Sequence, residues 1–155
     1  MENINIVIFI TATTLIHGAV FFYDEYLLHK KRPLSQKEIN SSLFGGAFYL
    51  VTVALTIFTS FSPLMSKVYI ALAFVSCVLI VLNELYYPVL EVNERLSHGA
   101  LYILHPLILY AFYSSWKMDL FNTNMTYWML QLCYLILGFK AMSYHAIYYN
   151  YIHKK

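Results

Sequence analysis

The chain has 155 residues, of which 60% are hydrophobic and only 12% are charged. Ordinary soluble domains carry about 25% charged residues, so this composition excludes a typical water-soluble fold. The formal net charge is only +2, and the Lys and Arg residues lie in short stretches between apolar segments. That distribution excludes a basic face able to follow a nucleic-acid backbone.

Five apolar segments follow one another along the chain. Each approaches the length of about twenty residues that a helix needs to cross a hydrocarbon core about 30 Å thick. We therefore predict an all-α integral membrane protein, folded as a single transmembrane helical-bundle domain over residues 1–155. The predicted spans cover about residues 4–28, 42–61, 68–87, 95–116 and 125–149.

The positive residues predict the orientation of the bundle, because Lys and Arg in short loops are retained on the cytoplasmic side. With five spans, one side of the membrane receives most of them and the other receives only Lys67 and Lys117. The richer side holds Lys30, Lys31, Arg32, Lys37, Arg95, Lys154 and Lys155. We therefore expect the amino terminus outside and the carboxyl terminus in the cytoplasm, which requires an odd number of spans.

Acidic and histidine side chains gather in the predicted cytoplasmic half of the bundle. Four of the five spans contribute to this layer, and the outer half receives almost no ionisable group. A charged residue at the centre of a spanning helix is disfavoured by about 2.5–3.5 kcal/mol on insertion scales, so such groups need partners. At about 100° per residue, Glu94, His98 and His105 form one stripe along the fourth segment.

A metal ion is one natural partner for this layer, because carboxylates and imidazoles are the ligands of di-iron and di-manganese sites inside helix bundles. We predict iron, manganese or zinc as the bound metal and Glu84 as a catalytic residue, acting as a base or an additional ligand. The predicted metal ligands are His17, Asp24, Glu25, His29, Glu94, His98 and His105.

Simpler interpretations exist for several of these residues. His17 and His145 fit neutral interior histidines that are hydrogen-bonded within the bundle. Asp24, Glu25 and His29 fit the solvated end of the first helix, with the neighbouring positive residues as counter-charges.

The sequence also resembles a group of small, poorly characterised bacterial multi-span membrane proteins. Their first helix carries an Asp-Glu and His motif, matched here by Asp24, Glu25 and His29. Their last motif, Glu, His and His-Pro, is matched by Glu94, His98 and His105-Pro106, whereas the middle motif retains only Glu84. The resemblance implies a bacterial inner-membrane location, and the missing middle residues argue against a complete two-metal site.

Three functions follow as hypotheses. The first is a membrane-embedded metal-binding protein, an oxidoreductase or hydrolase acting on a lipid-soluble substrate near the cytoplasmic face. The second is a non-catalytic subunit of a membrane complex or a small transporter, in which the polar layer is an ion-paired packing device or a proton path. The third is haem binding between His17 and His105. The expected partners are the lipid bilayer, a lipid-soluble substrate, and further copies of the chain or a larger membrane complex.

The chain contains no Gly-rich phosphate loop and no G-x-S-x-G or H-E-x-x-H motif, which excludes the enzyme classes that those motifs define.

Overall fold

Six α-helices and several short helical turns make up the computed structural model, which describes residues 2–31, 33–87 and 90–152. No strand occurs in these ranges, so the predicted all-α class is confirmed. The helices are α1 (Glu2–Tyr23), α2 (Gln36–Phe58), α3 (Pro63–Asn83), α4 (Val92–Lys117), α5 (Leu120–Thr123) and α6 (Met125–Ile147). Arg32, Lys154 and Lys155, which contributed to the predicted orientation, lie outside the described residues.

Each predicted span overlaps one of the five long helices, but the boundaries differ where local capping decides them. Helix α2 begins at Gln36 and not at Ser42, because Ser35 and Glu38 form a capping box. The Ser35 amide donates to Glu38 Oε2 at 2.6 Å, and the Glu38 amide donates to Ser35 Oγ at 3.3 Å. These two bonds satisfy backbone donors that would otherwise lack partners at the start of the helix.

Three helical stretches in the described part of the chain are long and apolar enough to cross a membrane. They are Ile6–Lys31, Gln36–Phe58 and Pro63–Tyr86. Helices α4 and α6 are also long, at 26 and 23 residues, but they carry more polar side chains. The structure therefore supports a helical bundle with three candidate membrane spans, and the five-span topology stays a prediction.

The distribution of exposed apolar and buried polar side chains differs from that in a soluble protein. Large apolar residues such as Phe44, Phe74 and Leu96 are about two-thirds exposed. Many polar and ionisable side chains are buried instead, including His17, Asp24, Glu25, His29, Glu94, His98, His105 and His145. An apolar exterior around an interior that also buries the ionisable groups is the arrangement that a hydrocarbon solvent favours.

Helix packing leaves one side of the bundle less tightly closed than the others. Helix α1 packs mainly along α4, and α2 packs along both α3 and α6. The direct contact between α1 and α6 is slight by comparison. The apolar core lies where α2, α4 and α6 meet, around Val53, Ile108 and Phe112, which are completely buried.

Candidate functional site

The ionisable residues at one end of the bundle form a single buried cluster, which we call the acid–histidine cluster. Its members are Asp24, Glu25 and His29 beyond the end of α1, Glu94 and His98 near the start of α4, and His145 near the end of α6. All six side chains belong to residues that are 4–5% exposed. The solvated-end interpretation of Asp24, Glu25 and His29 is therefore wrong, because packing against α4 and α6 covers them.

A π-helical turn brings two of these residues together. Residues Asp24–Leu28 form one wide turn, and the backbone amide of His29 donates to the carbonyl oxygen of Asp24, five residues earlier. An ordinary α-helix would place residues five apart on different faces. Such single wide turns are frequent at functional sites. Here the turn aligns Asp24 with His29 on the side that faces α4.

Asp24, His29 and His98 form the first group that could hold a metal ion. Asp24 Oδ2 lies 3.4 Å from His29 Nε2 and 3.5 Å from His98 Nε2. Glu94 Oε1 lies 3.7 Å from the same nitrogen of His29. These distances exceed the 2.7–3.2 Å typical of N–H···O hydrogen bonds. Within the described part of the chain, Asp24 Oδ1 and His29 Nε2 are buried without a hydrogen-bond partner.

Glu25, His29 and His145 form a second group, in which the contacts are shorter. The two carboxylate oxygens of Glu25 lie 2.9 and 3.0 Å from His145 Nδ1. Its Oε2 also lies 3.2 Å from His29 Nδ1. These are ordinary hydrogen-bond lengths. Glu25 therefore acts as a shared acceptor that holds two imidazole rings in position.

Glu84 plays a comparable part for His98. It lies in the 3₁₀ turn that follows α3, and its Oε2 is 3.3 Å from His98 Nδ1. The hydroxyl of Tyr102 donates to the same oxygen. The Glu84 side chain is 40% exposed, in contrast to the six buried members of the acid–histidine cluster. Glu84 therefore contacts the Nδ1 side of the His98 ring, whereas Asp24 faces the Nε2 side.

His17 and His105 form a separate pair deeper in the bundle. Their ring centroids are 6.2 Å apart. His17 Nδ1 pairs with the hydroxyl of Tyr134 at 2.8 Å, and His105 Nε2 pairs with the hydroxyl of Ser76 at the same distance. Seven residues separate each histidine from its acid–histidine cluster neighbour on the same helix, which is about 10 Å at 1.5 Å per residue. The predicted ligand set is therefore divided between two depths.

The deep pair gives no support to the haem hypothesis, which stays a prediction. The ring of Tyr49 lies 5.5 Å from His17 and 4.6 Å from His105. The Tyr49 ring is therefore close to the midpoint between the two imidazoles. A porphyrin ligated by both histidines would extend through this position. Each imidazole also has one nitrogen in a hydrogen bond with the protein.

A cavity of about 370 Å³ connects the two depths. Its polar end is lined by Asp24, Glu25, His29 and His98, and its deep end by His17 and His105. Ligand pockets typically measure about 300–1,000 Å³ and are mostly apolar with a few placed polar groups. The cavity has the size and composition of a binding site for a small lipid-soluble molecule.

Two contributions to the site could not be anticipated from the sequence alone. His145 was interpreted as an interior histidine, and its role in holding Glu25 depends on α6 packing beside the end of α1. Tyr134 and Tyr49 carried no local signal, since the chain contains 15 tyrosines. Tyr102, whose hydroxyl donates to Glu84, is another of these tyrosines.

Comparisons of the chain with protein-family models, with curated proteins and with solved structures found no match.

Proposed function

We propose that the chain is a membrane-embedded metal-binding protein with a site formed by Asp24, His29 and His98. One observation carries this proposal: the facing ligand atoms are 3.4 and 3.5 Å apart. Nitrogen and oxygen ligands at 2.0–2.2 Å from a tetrahedral ion are about 3.3–3.6 Å from each other. The separation is thus too long for good hydrogen bonds and right for a shared ion. Glu94, 3.7 Å from His29 Nε2, is the candidate for a fourth ligand.

The carboxylates beside the other ring nitrogens of His29 and His98 also support this metal site. Histidines that bind metals usually donate their other ring N–H to a carboxylate, which orients the ring and makes the ligand nitrogen more basic. His29 Nδ1 lies near Glu25, and His98 Nδ1 lies near Glu84. Both histidines therefore have the Nε2 atom available to the metal and the Nδ1 atom next to a carboxylate.

The donor set narrows the choice of metal. Two histidines and a carboxylate bind zinc in tetrahedral sites, which the separations of 3.4 and 3.5 Å fit, while the same donors bind non-haem iron and manganese in octahedral sites with shorter separations between ligands. A bound ion of this kind supplies Lewis acidity or activates a small molecule such as oxygen or water. The protein residues would hold the ion, exclude bulk water and position a substrate from the cavity.

We propose further that the chain is an oxidoreductase or hydrolase acting on a lipid-soluble substrate, in a five-span bundle with the cluster near the cytoplasmic face. Lys30, Lys31 and Arg95 lie at the same end of the bundle as the cluster, which supports a cytoplasmic position for it under the positive-inside rule. Glu84 was predicted to be catalytic. Its contacts with His98 and Tyr102 favour a role in positioning His98.

Elemental analysis of the detergent-purified protein tests metal binding. We expect about one iron, manganese or zinc ion per chain in the wild type and less than about one tenth of that in His98→Ala. His145→Ala is the matched control, because it removes a buried imidazole that contacts Glu25 and not Asp24. Its metal content should stay near the wild-type value. Loss of metal in His145→Ala but not in His98→Ala would show that the metal binds at Glu25, His29 and His145 instead.

Replacing Glu84 with glutamine should weaken metal binding without abolishing it. The amide keeps the size of the side chain but loses the negative charge that His98 Nδ1 faces at 3.3 Å. Loss of an outer carboxylate typically costs 10–100-fold in metal affinity. Competition with a chromogenic chelator would measure the change, and Glu91→Gln, at an exposed position, is the control. Equal affinity in the wild type and Glu84→Gln would remove this residue from the site.

A non-catalytic subunit or a small transporter is the second candidate. The contacts of Glu25 with His29 and His145 favour it, since they give the buried Glu25 carboxylate two hydrogen-bond donors without a metal. An ion-paired packing device would need no metal. Protein that is folded, free of metal and tolerant of His98→Ala would support this alternative over the metal centre.

A further inference from the structure

The cavity has an opening on the side of the bundle where α1 and α6 meet. Several of its lining residues are exposed on the outer surface of these two helices. Leu15 on α1 is 60% exposed, Leu137 on α6 is 43% exposed, and Cys133 on α6 is also exposed. A residue that lines a cavity and also contacts the surroundings marks an opening. Helices α1 and α6 contact each other only slightly, which leaves room for it.

This opening faces the lipid and not the aqueous phase. Leu15 and Leu137 are flanked by Ile16 and Ile136, which are 53% and 57% exposed but do not line the cavity. Exposed leucine and isoleucine in neighbouring positions form an apolar surface, which hydrocarbon covers more favourably than water does. A molecule that enters here would therefore come from the bilayer interior.

The charge of the lining restricts the head group of that molecule. Asp24 and Glu25 line the polar end of the cavity, and the described lining residues include no Lys or Arg. With a divalent ion bound, the formal charges of Asp24, Glu25 and Glu94 still outweigh the charge of the ion, so a phosphate or carboxylate head would meet a net negative site in a poorly hydrated space. A hydroxyl, carbonyl or ester oxygen carries no such penalty and can accept hydrogen bonds or approach a metal.

We infer that the substrate is an uncharged lipid with one oxygen-bearing head group, which enters sideways between α1 and α6. The head group lies at the acid–histidine cluster, and the apolar part lies along Leu15, Phe22 and Leu137 toward the opening. This inference rests on the proposed function, because it names the substrate class of the same metal site. It adds the route of entry and excludes anionic lipids.

Photocrosslinking in nanodiscs of zwitterionic lipid tests both parts. The probe is a long-chain primary alcohol with a diazirine in its chain, compared with the carboxylate and phosphate monoester of the same chain. Mass spectrometry then locates the labelled residues. We expect the alcohol to label the cavity-lining residues of α1 and α6 at least about tenfold more than the phosphate, which corresponds to about 1.4 kcal/mol of repulsion.

Paired variants test the opening itself. Leu137→Trp should reduce labelling inside the cavity about tenfold by filling the entrance, whereas Ile136→Trp, on the neighbouring lipid-facing position, should leave it unchanged. If Leu137→Trp does not fold, Leu15→Trp and Ile16→Trp provide the same comparison on α1. Equal effects of the two members of a pair would overturn the lateral entrance. Stronger labelling by the phosphate would overturn the uncharged substrate.

Metal analysis of the same samples separates this inference from the proposed function. Protein with stoichiometric metal but no preferential labelling of the cavity would overturn the inference alone. Selective labelling of the cavity by the alcohol in protein without metal would overturn the metal centre and leave the entrance in place.

Discussion

His29→Ala is expected to abolish metal binding and to destabilise the bundle. The ring of His29 lies between three carboxylates, 3.4 Å from Asp24, 3.2 Å from Glu25 and 3.7 Å from Glu94. It also belongs to both groups that could hold a metal. Removing one partner from a buried charged pair costs about 3–5 kcal/mol, because the other charge remains buried without compensation.

Thermal unfolding in detergent, with and without added metal, measures both effects. A ligand present at a hundred times its Kd stabilises a protein by about 2.7 kcal/mol, so metal should raise the Tm of the wild type. The Tm of His29→Ala should be lower and should not respond to metal. His105→Ala is the control, since it removes a buried histidine of the deep pair and should keep the response. An undiminished metal response in His29→Ala would rule out both metal groups.

Phe112→Ala should cause the largest loss of stability outside the polar site. Phe112 on α4 is completely buried and packs against Phe121 and Tyr134, with ring centroids 6.2 and 5.9 Å away. Replacing a buried phenylalanine with alanine typically costs about 3–5 kcal/mol, from lost contacts and the cavity left behind. Phe74→Ala on α3 is the matched control, because that ring is 69% exposed.

Unfolding by sodium dodecyl sulfate in mixed micelles gives the free-energy change for both variants. We expect Phe74→Ala to lie within about 0.5 kcal/mol of the wild type, as substitutions away from packed regions usually do. Similar losses in the two variants would contradict the packing described for α4. The pair therefore tests the fold independently of any metal.

The sequence was sufficient for the fold class and for the approximate positions of the long helices. Runs of about twenty apolar residues have few structural solutions, because every backbone polar group in a bilayer must be satisfied within the chain. The all-helical structure confirms this prediction, and three of the helical stretches have the length and apolarity of membrane spans. Boundaries such as the start of α2 at Gln36 depended on side-chain capping, which hydrophobicity does not report.

The gathering of acidic and histidine residues in one layer was also predictable, since ionisable groups in spanning helices avoid lipid and face one another. Asp24, Glu25, His29, Glu94 and His98 do form one buried cluster. The sequence did not predict which of these residues would bind the metal and which would orient the ligands through hydrogen bonds. This assignment depends on which nitrogen of each ring faces which oxygen, at distances that differ by only a few tenths of an ångström.

Only the tertiary structure decided the final composition of the site. The π-helical turn aligns Asp24 with His29, although five residues separate them and an α-helical period places them apart. The packing of α6 beside α1 brings His145 to Glu25 across 120 positions of sequence. The same packing leaves His17 and His105 at a second depth with Tyr134 and Ser76. Local sequence fixes which residues a helix carries, whereas helix packing determines the neighbours that each of them meets.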